Sequence, residues 1–161
     1  MLLLKPKFHS LGLAFLLIIG AGLPGLRPAL QAAEPLKLFA MTEIKGGQNG
    51  HYMVKAYINN QPISVLVDTG ASAVALSAED ADRANLHPRL LTYDVGVATA
   101  NGSVKAARVK LDKVEIDNVR LDNVDALVLP PGALSGTLLG MSFLSRLSSF
   151  SSEGGRLILK N

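Results

Sequence analysis

The segment Val65-Leu66-Val67-Asp68-Thr69-Gly70-Ala71-Ser72 holds the residue types best suited to chemistry. Three apolar residues run into a carboxylate, a small hydroxyl side chain, a glycine and two further small residues. A carboxylate beside apolar neighbours loses hydration, so it must be paired, hydrogen-bonded or protonated. Thr69 supplies a hydroxyl for bridging, and Gly70 permits a sharp turn that brings its N–H toward the Asp68 oxygens. The pattern fits a carboxylate placed for acid–base work. It fits equally a strand that ends in an Asx-turn, with Asp68 capping its own loop.

Other chemistries find less support. Cysteine is absent, which removes disulfides, thiolate ligands and cysteine nucleophiles. There is no Gly-x-Ser-x-Gly elbow for a serine hydrolase. His51 and His87 have neither HExxH nor paired-histidine spacing, and read as surface or turn residues. Asp112, Glu115, Asp117, Asp122 and Asp125 lack calcium-loop spacing and read as solvated faces and turns. The glycines of GGQNG (residues 46–50) lack the Gly-Lys-Ser/Thr of a phosphate loop. Met41, Met53 and Met141 read as core or packing residues. No metal and no cofactor is expected.

The chain has 161 residues, enough for one domain with a substantial core. With 48% hydrophobic and 18% charged residues it is too apolar for a disordered chain. The formal charge of +3 suggests a polyanion binder, but residues 1–33 carry Lys5, Lys7 and Arg27 and no acid. From Glu34 onward basic and acidic residues balance at 13 each, so the electrostatic footprint of a nucleic-acid binder is missing. Tryptophan is absent and aromatics are 5%, which also argues against a base-stacking platform.

The basic start, the apolar run 11–23 (LGLAFLLIIGAGL), the breaker-rich PGLRP and then ALQAA have the order of a secretory signal. The apolar run is short for a bilayer span. Gln31 stands where a cleavage site wants a small residue, so residues 1–33 read as a cleaved signal peptide or a retained membrane anchor. Either way the positive-inside rule sends the body out of the cytoplasm, into the periplasm or onto a membrane facing it.

The elements that must position Asp68 follow. Residues 34–50 form a linker or first strand, and residues 51–161 form the domain. Residues 51–58 and 63–68 are β-rich and flank the turn NNQP, which predicts a hairpin. Residues 73–76 predict a short strand. Residues 77–85 predict a helix with Ser77 as N-cap and Asp80 three residues on. His87-Pro88 ends it. Residues 92–99 and 104–111 flank Asn101-Gly102, a strong hairpin signal. Residues 114–116, 119–121 and 124–129 predict further short strands of a meander spaced by Asp-Asn pairs. A short helix over 141–147 and a strand over 156–160 close the chain. The fold class is mainly β with two short helices.

On these residues the chain resembles the retropepsin-like aspartic proteases. Val65–Ser72 is similar to the family's catalytic loop. Leu138-Leu139-Gly140 is similar to the later hydrophobic-hydrophobic-Gly element that packs behind that loop, and Asn101-Gly102 falls where the family has its flap hairpin. The wording SVLVDTGAS…TANG…LLGMSFLSRLSSF resembles the bacterial single-domain branch, whose members often carry a signal or anchor. The resemblance covers about residues 52–159.

The resemblance implies the closed, barrel-like acid protease fold and an endopeptidase in which two carboxylates hold one water and share one proton. One Asp-Thr-Gly is present, so a homodimer is implied in which each subunit gives Asp68. Thr69 is implied to lock the two loops across the dyad. Gly70 and Ala71 are implied to lie against the substrate, and Asn101 and Gly102 to fold over it. The hairpin lacks an aromatic tip; Tyr93 is the nearest aromatic. The implied partner is an extended peptide. Arg156–Lys160 is implied as an interface strand, because termini interleave at the family's dimer base. A fold does not fix a function. A non-catalytic dimeric peptide-binding or envelope-assembly module on the same fold is therefore the alternative.

Overall fold

Strand β2 (Met53–Ile58) and strand β3 (Gln61–Val67) form the hairpin that delivers Asp68, in register from Ile58↔Gln61 to Met53↔Leu66. Asn59 and Asn60 make the turn at φ 49° and 69°, left-handed values that asparagine tolerates and a tight hairpin turn requires. The computed structural model describes residues 40–99 and 102–161. The expected targeting segment, residues 34–39 of the linker, and Ala100 and Asn101 lie outside the described residues.

After β3 the chain turns into β4 (Val74–Leu76) and helix α1 (Ala78–Arg83). The Ser77 hydroxyl caps that helix by accepting the Asp80 N–H at 3.1 Å. Asn85 and His87 adopt left-handed φ of 60° and 49° and end it, before a 3-10 turn at Pro88–Leu90. Then come β5 (Val95–Thr99), β6 (Gly102–Ile116), β7 (Val119–Val128), β8 (Thr137–Leu139) and α2 (Met141–Leu144), followed by β9 (Ser149–Glu153) and β10 (Arg156–Lys160). One more strand, β1 (Met41–Lys45), precedes β2.

Six strands close on themselves in the order β2-β3-β8-β4-β7-β6, and the pairing of β2 with β6 completes the ring. The expected mainly β, closed, barrel-like architecture is thus observed. Phe143, Ile58, Ile63, Leu76, Leu111, Ile116, Leu139 and Leu144 are fully buried inside it. Each such side chain contributes on the order of 1.5–3 kcal/mol of burial. Among the described residues strand β5 pairs only with β6 and lies outside the ring. A separate three-stranded sheet, β1-β10-β9, adds Ile44, Leu157 and Leu159 to the core.

The short-strand meander is corrected. β6 runs 15 residues and β7 runs 10, paired from Ala107↔Val128 to Ile116↔Val119. Asp112 and Asn123 lie inside these strands, and only Asp117-Asn118 forms a turn. Both strands change buried face at this point. β6 buries Leu111 and then Val114 and Ile116; β7 buries Val119 and Leu121 and then Val124 and Ala126. Because both strands switch together, the ladder survives the interruption in the apolar alternation. The Asn59 carboxamide oxygen sits at the switch and accepts the N–H groups of Asp112 (2.9 Å) and Lys113 (3.4 Å).

Three further expectations change. The second helix stops at Leu144 rather than Leu147. β9 was not foreseen, because Ser149–Glu153 has neither apolar alternation nor β-branched residues. Met41 and Met53 are exposed, at 47% and 54%, since they occupy the outward positions of β1 and β2. Met141 does pack against the core.

Candidate active site

Asp68 follows the last residue of β3, where β8 lies between β3 and β4. β8 runs parallel to β3 (Val67↔Leu139) and antiparallel to β4 (Ala75↔Leu138). The loop that joins β3 to β4 must therefore cross the end of β8. Two backbone bonds fasten it there: Asp68 N–H to Leu139 C=O at 3.1 Å, and Met141 N–H to Ala71 C=O at 2.8 Å. Gly140 lies between these bonds. A Cβ on it would overlap the Ala73 carbonyl oxygen and stand 2.7 Å from that of Ala71, so only glycine permits the approach. The Ser142 hydroxyl extends the clamp, accepting from Val74 N–H (2.9 Å) and donating to Asp125 C=O (2.6 Å).

The Asp68 carboxylate accepts the Gly70 N–H through Oδ1 at 2.8 Å. The Asx-turn read from the local pattern is present. Its other oxygen takes no hydrogen bond from any described residue. Asp68 is half-buried and Thr69 and Gly70 are exposed, so the carboxylate is less desolvated than its apolar neighbours suggested. Val65 points into the barrel, while Leu66 and Val67 are only half-buried at the strand end.

Asp68, Gly70 and Ala71 face a cleft of about 550 Å³. Ala73, Ala75, Leu127, Leu129, Leu134 and Leu138 line it from the barrel, and Val97, Ala98 and Thr99 from the projecting β5. Asp68 is the single charged side chain among the described lining residues. The cleft is thus apolar apart from one carboxylate at its floor.

A second carboxylate shows the contrast. Asp80 is buried, and both its oxygens are engaged: Oδ2 accepts the Thr137 hydroxyl at 2.8 Å, Oδ1 accepts Arg83 at 2.9 Å. It does not reach back to cap its own helix, as the Ser77/Asp80 spacing suggested. It ties α1 to the first residue of β8, the strand that carries the Leu139 carbonyl behind Asp68.

The expected hairpin residues divide. Asn101 lies outside the described residues. Gly102 starts β6 at φ 111° and does not line the cleft; its carbonyl accepts the Thr99 hydroxyl at 2.7 Å. The β5 side faces the cleft instead, which the turn signal could not distinguish. Tyr93 packs against the core and donates its hydroxyl to Pro88 C=O at 3.2 Å, and burial pushes that hydroxyl above its ordinary pKa. His51 and His87 are exposed, the latter in its turn. Arg156–Lys160 pairs with β1 on one side and β9 on the other, so the expected interface strand has no free edge.

Comparison with known proteins gives a consistent set. Residues 54–146 match the family model "gag-polyprotein putative aspartyl protease". The chain is 42% identical over 113 residues to a Sinorhizobium protein, "Uncharacterized protein in cobV 5'region", covering 70% of this chain and 48% of that one. It is 37% identical over 111 residues to "Uncharacterized protein RP867" of Rickettsia prowazekii, covering 69% and 47%. The chain thus spans about half the length of the curated relatives it matches. The crystal structure of a retropepsin-like aspartic protease from Rickettsia conorii superimposes with a TM-score of 0.68 at 37% identity, over 76% of this chain and 91% of that one.

Proposed function

Since this chain belongs to the retropepsin-like aspartic protease family, we propose that it is an aspartic endopeptidase completed when two copies bring their Asp68 carboxylates together across a twofold axis. The observation that carries this reading is the half-finished site. One carboxylate stands on a rigid loop at the floor of an apolar cleft, with one oxygen held by Gly70 N–H and the other unengaged. The exposed Thr69 hydroxyl likewise takes no partner among the described residues, which suits a contact made across the axis.

Two carboxylates about 3 Å apart cannot both ionise, so the pair holds one proton. The charged member takes a proton from the water between them as the water oxygen attacks the peptide carbonyl carbon. The protonated member gives its proton to the carbonyl oxygen, forming a neutral tetrahedral diol. Collapse breaks the C–N bond as the amine nitrogen takes a proton from one carboxyl, and a diol hydroxyl returns its proton to the pair. Carboxylic acid and amine leave, and the pair again holds one proton. Gly70 and Ala71 would lie under the peptide backbone, and β5 with the hairpin tip would exclude solvent from above. The N-terminal pattern supports an exported location, with the domain outside the cytoplasm.

The test uses the full chain, an unstructured protein substrate at mildly acidic pH, and mass spectrometry of the fragments. Asp68→Asn keeps the fold and lowers cleavage by about a thousandfold or more. Equal cleavage by variant and parent would overturn the assignment. Peptide binding without turnover in the parent would favour the non-catalytic module.

A further inference from the structure

One row of side chains continues the cleft to the far side of the Asp68 strand. Leu127, Ala75, Leu138, Leu66 and Met53 are successive ladder partners across β7, β4, β8, β3 and β2. Ladder partners share a face of the sheet. Leu127, Ala75 and Leu138 each stand between two buried residues, so the row faces away from the barrel core. These three line the cleft already described, whereas Leu66 and Met53 line a second cavity, also of about 550 Å³. The two cavities are thus neighbours along one apolar row.

The second cavity ends in different chemistry. Lys45 and the turn over residues 46–51 supply its other walls, with Gln48, Asn49 and His51 among them. No acid lines it among the described residues, and Lys45 has no ion pair there. Glu43, two residues back on the same face of β1, is taken by Arg156 at 3.2 Å. The side chains of Gln48, Asn49 and His51 make no hydrogen bond to any described residue. The turn itself is tied down by backbone bonds: Gly46 N–H to Gly155 C=O (2.9 Å), Gly47 N–H to His51 C=O (2.8 Å) and Gly50 N–H to Gly47 C=O (3.0 Å). A positive charge and several N–H donors therefore stand on a fixed frame. Tyr52 C=O accepts Val67 N–H at 2.9 Å, so the turn leaves β2 at the same end of the hairpin as Asp68.

We propose that this cavity is a specificity site for a carboxylate side chain of the substrate peptide. This rests on the endopeptidase reading above and adds a substrate preference to it. The peptide lays apolar residues along Leu138 and Leu66 and directs an acidic side chain to Lys45 and the donors beside it. Neighbouring strands are about 4.8 Å apart, so β2 and the turn beyond it lie about 5–10 Å from the strand end that carries Asp68. An extended peptide advances about 3.3 Å per residue, which sets the acid about two to three residues from the bond that is cut. A twofold pair offers one such cavity per copy, so the preference holds at equal distance on both sides of that bond.

The experiment uses the full chain in mild detergent and decapeptides of Ala, Leu and Ser with a single Glu, Gln or Lys moved through every position. Cleavage is read by mass spectrometry of the fragments, and binding to Asp68→Asn by fluorescence anisotropy of labelled peptides. Glu at two or three residues from the cut should raise kcat/KM over Gln by about fivefold, the worth of an exposed ion pair, and should tighten binding similarly. Lys45→Glu should invert the order, so that Lys peptides outrank Glu peptides. A ratio between peptides does not depend on how much of the variant folds. The site is overturned if Glu and Gln differ by less than about twofold at those positions, if the preference is equal at every position, or if Lys45→Glu keeps it. Glu-selective binding with no cleavage by the parent would keep the site and remove the catalytic reading. Cleavage without a Glu preference would do the reverse, and peptides that are neither bound nor cut would overturn both.

Discussion

On the barrel side of the cleft, the Asp68 loop is clamped by Leu139, Met141 and Ser142 and packed against a glycine with no spare volume. On the opposite side, β5 pairs with no strand but β6 among the described residues, its burial alternates only between half-buried and exposed, and Gly96 has no described atom beyond its chain neighbours within 4 Å of where a Cβ would stand. The difference separates two tasks. On the proposed function, a carboxylate that meets a counterpart across an axis needs a fixed floor, because small misplacement costs rate. On the same proposal, a roof that admits and releases a chain needs few contacts to break.

Matched substitutions break or sharpen this comparison. The largest effect is expected from Gly140→Ala, where the new methyl meets backbone that cannot yield. A loss of about 3 kcal/mol or more in denaturant unfolding is expected, and a loss under about 1 kcal/mol would show the floor to be adjustable. Thr137→Val comes next. It keeps shape but takes one partner from buried Asp80, and should cost about 1–3 kcal/mol. Thr137→Ser should recover most of that in the same measurement. In the roof, Gly96→Ala should change stability by no more than about 0.5 kcal/mol, and a larger loss would mean that β5 is packed by something beyond β6.

The smallest effect concerns Asp125, whose carbonyl takes the Ser142 bond while its exposed side chain pairs with Lys110 at 2.6 Å. The hydrogen bond and charge of Lys110 hold its carboxyl below the usual range. A depressed folded value means that its contribution is present above the unfolded aspartate pKa, near 3.9, and is lost as pH falls through the folded one. An NMR titration should show the Asp125 midpoint rise in Lys110→Ala. An unmoved midpoint would refute the pairing as its cause.

The two walls were also unequally legible. The loop wrote itself locally: an apolar strand, then Asp-Thr-Gly and small residues, with Leu138-Leu139-Gly140 as the later counterpart. Ser77 could be read as a cap because a cap and its helix are neighbours in sequence. The roof was legible only as a hairpin. Which strand faces the cleft depends on twist and on the barrel beneath, so only the structure shows that Val97, Ala98 and Thr99 of β5 line it and that Tyr93 packs against the core. Asp80 was read as part of its helix start, but its partner Thr137 lies 57 residues on, beyond any local pattern. β9 escaped notice because its pairing is imposed by the β10 hairpin and not by its serines.

By itself the sequence determined the β-rich elements and the place of one carboxylate at the end of an apolar strand. These follow from backbone propensity, side-chain alternation and the cost of burying charge, which act between near neighbours. Only the tertiary structure decided that β8 enters between β3 and β4, that Gly140 must be bare, and that β10 is central while β9 is left at the edge. Those outcomes depend on which distant backbone groups satisfy one another, and a strand's own residues do not specify its neighbour.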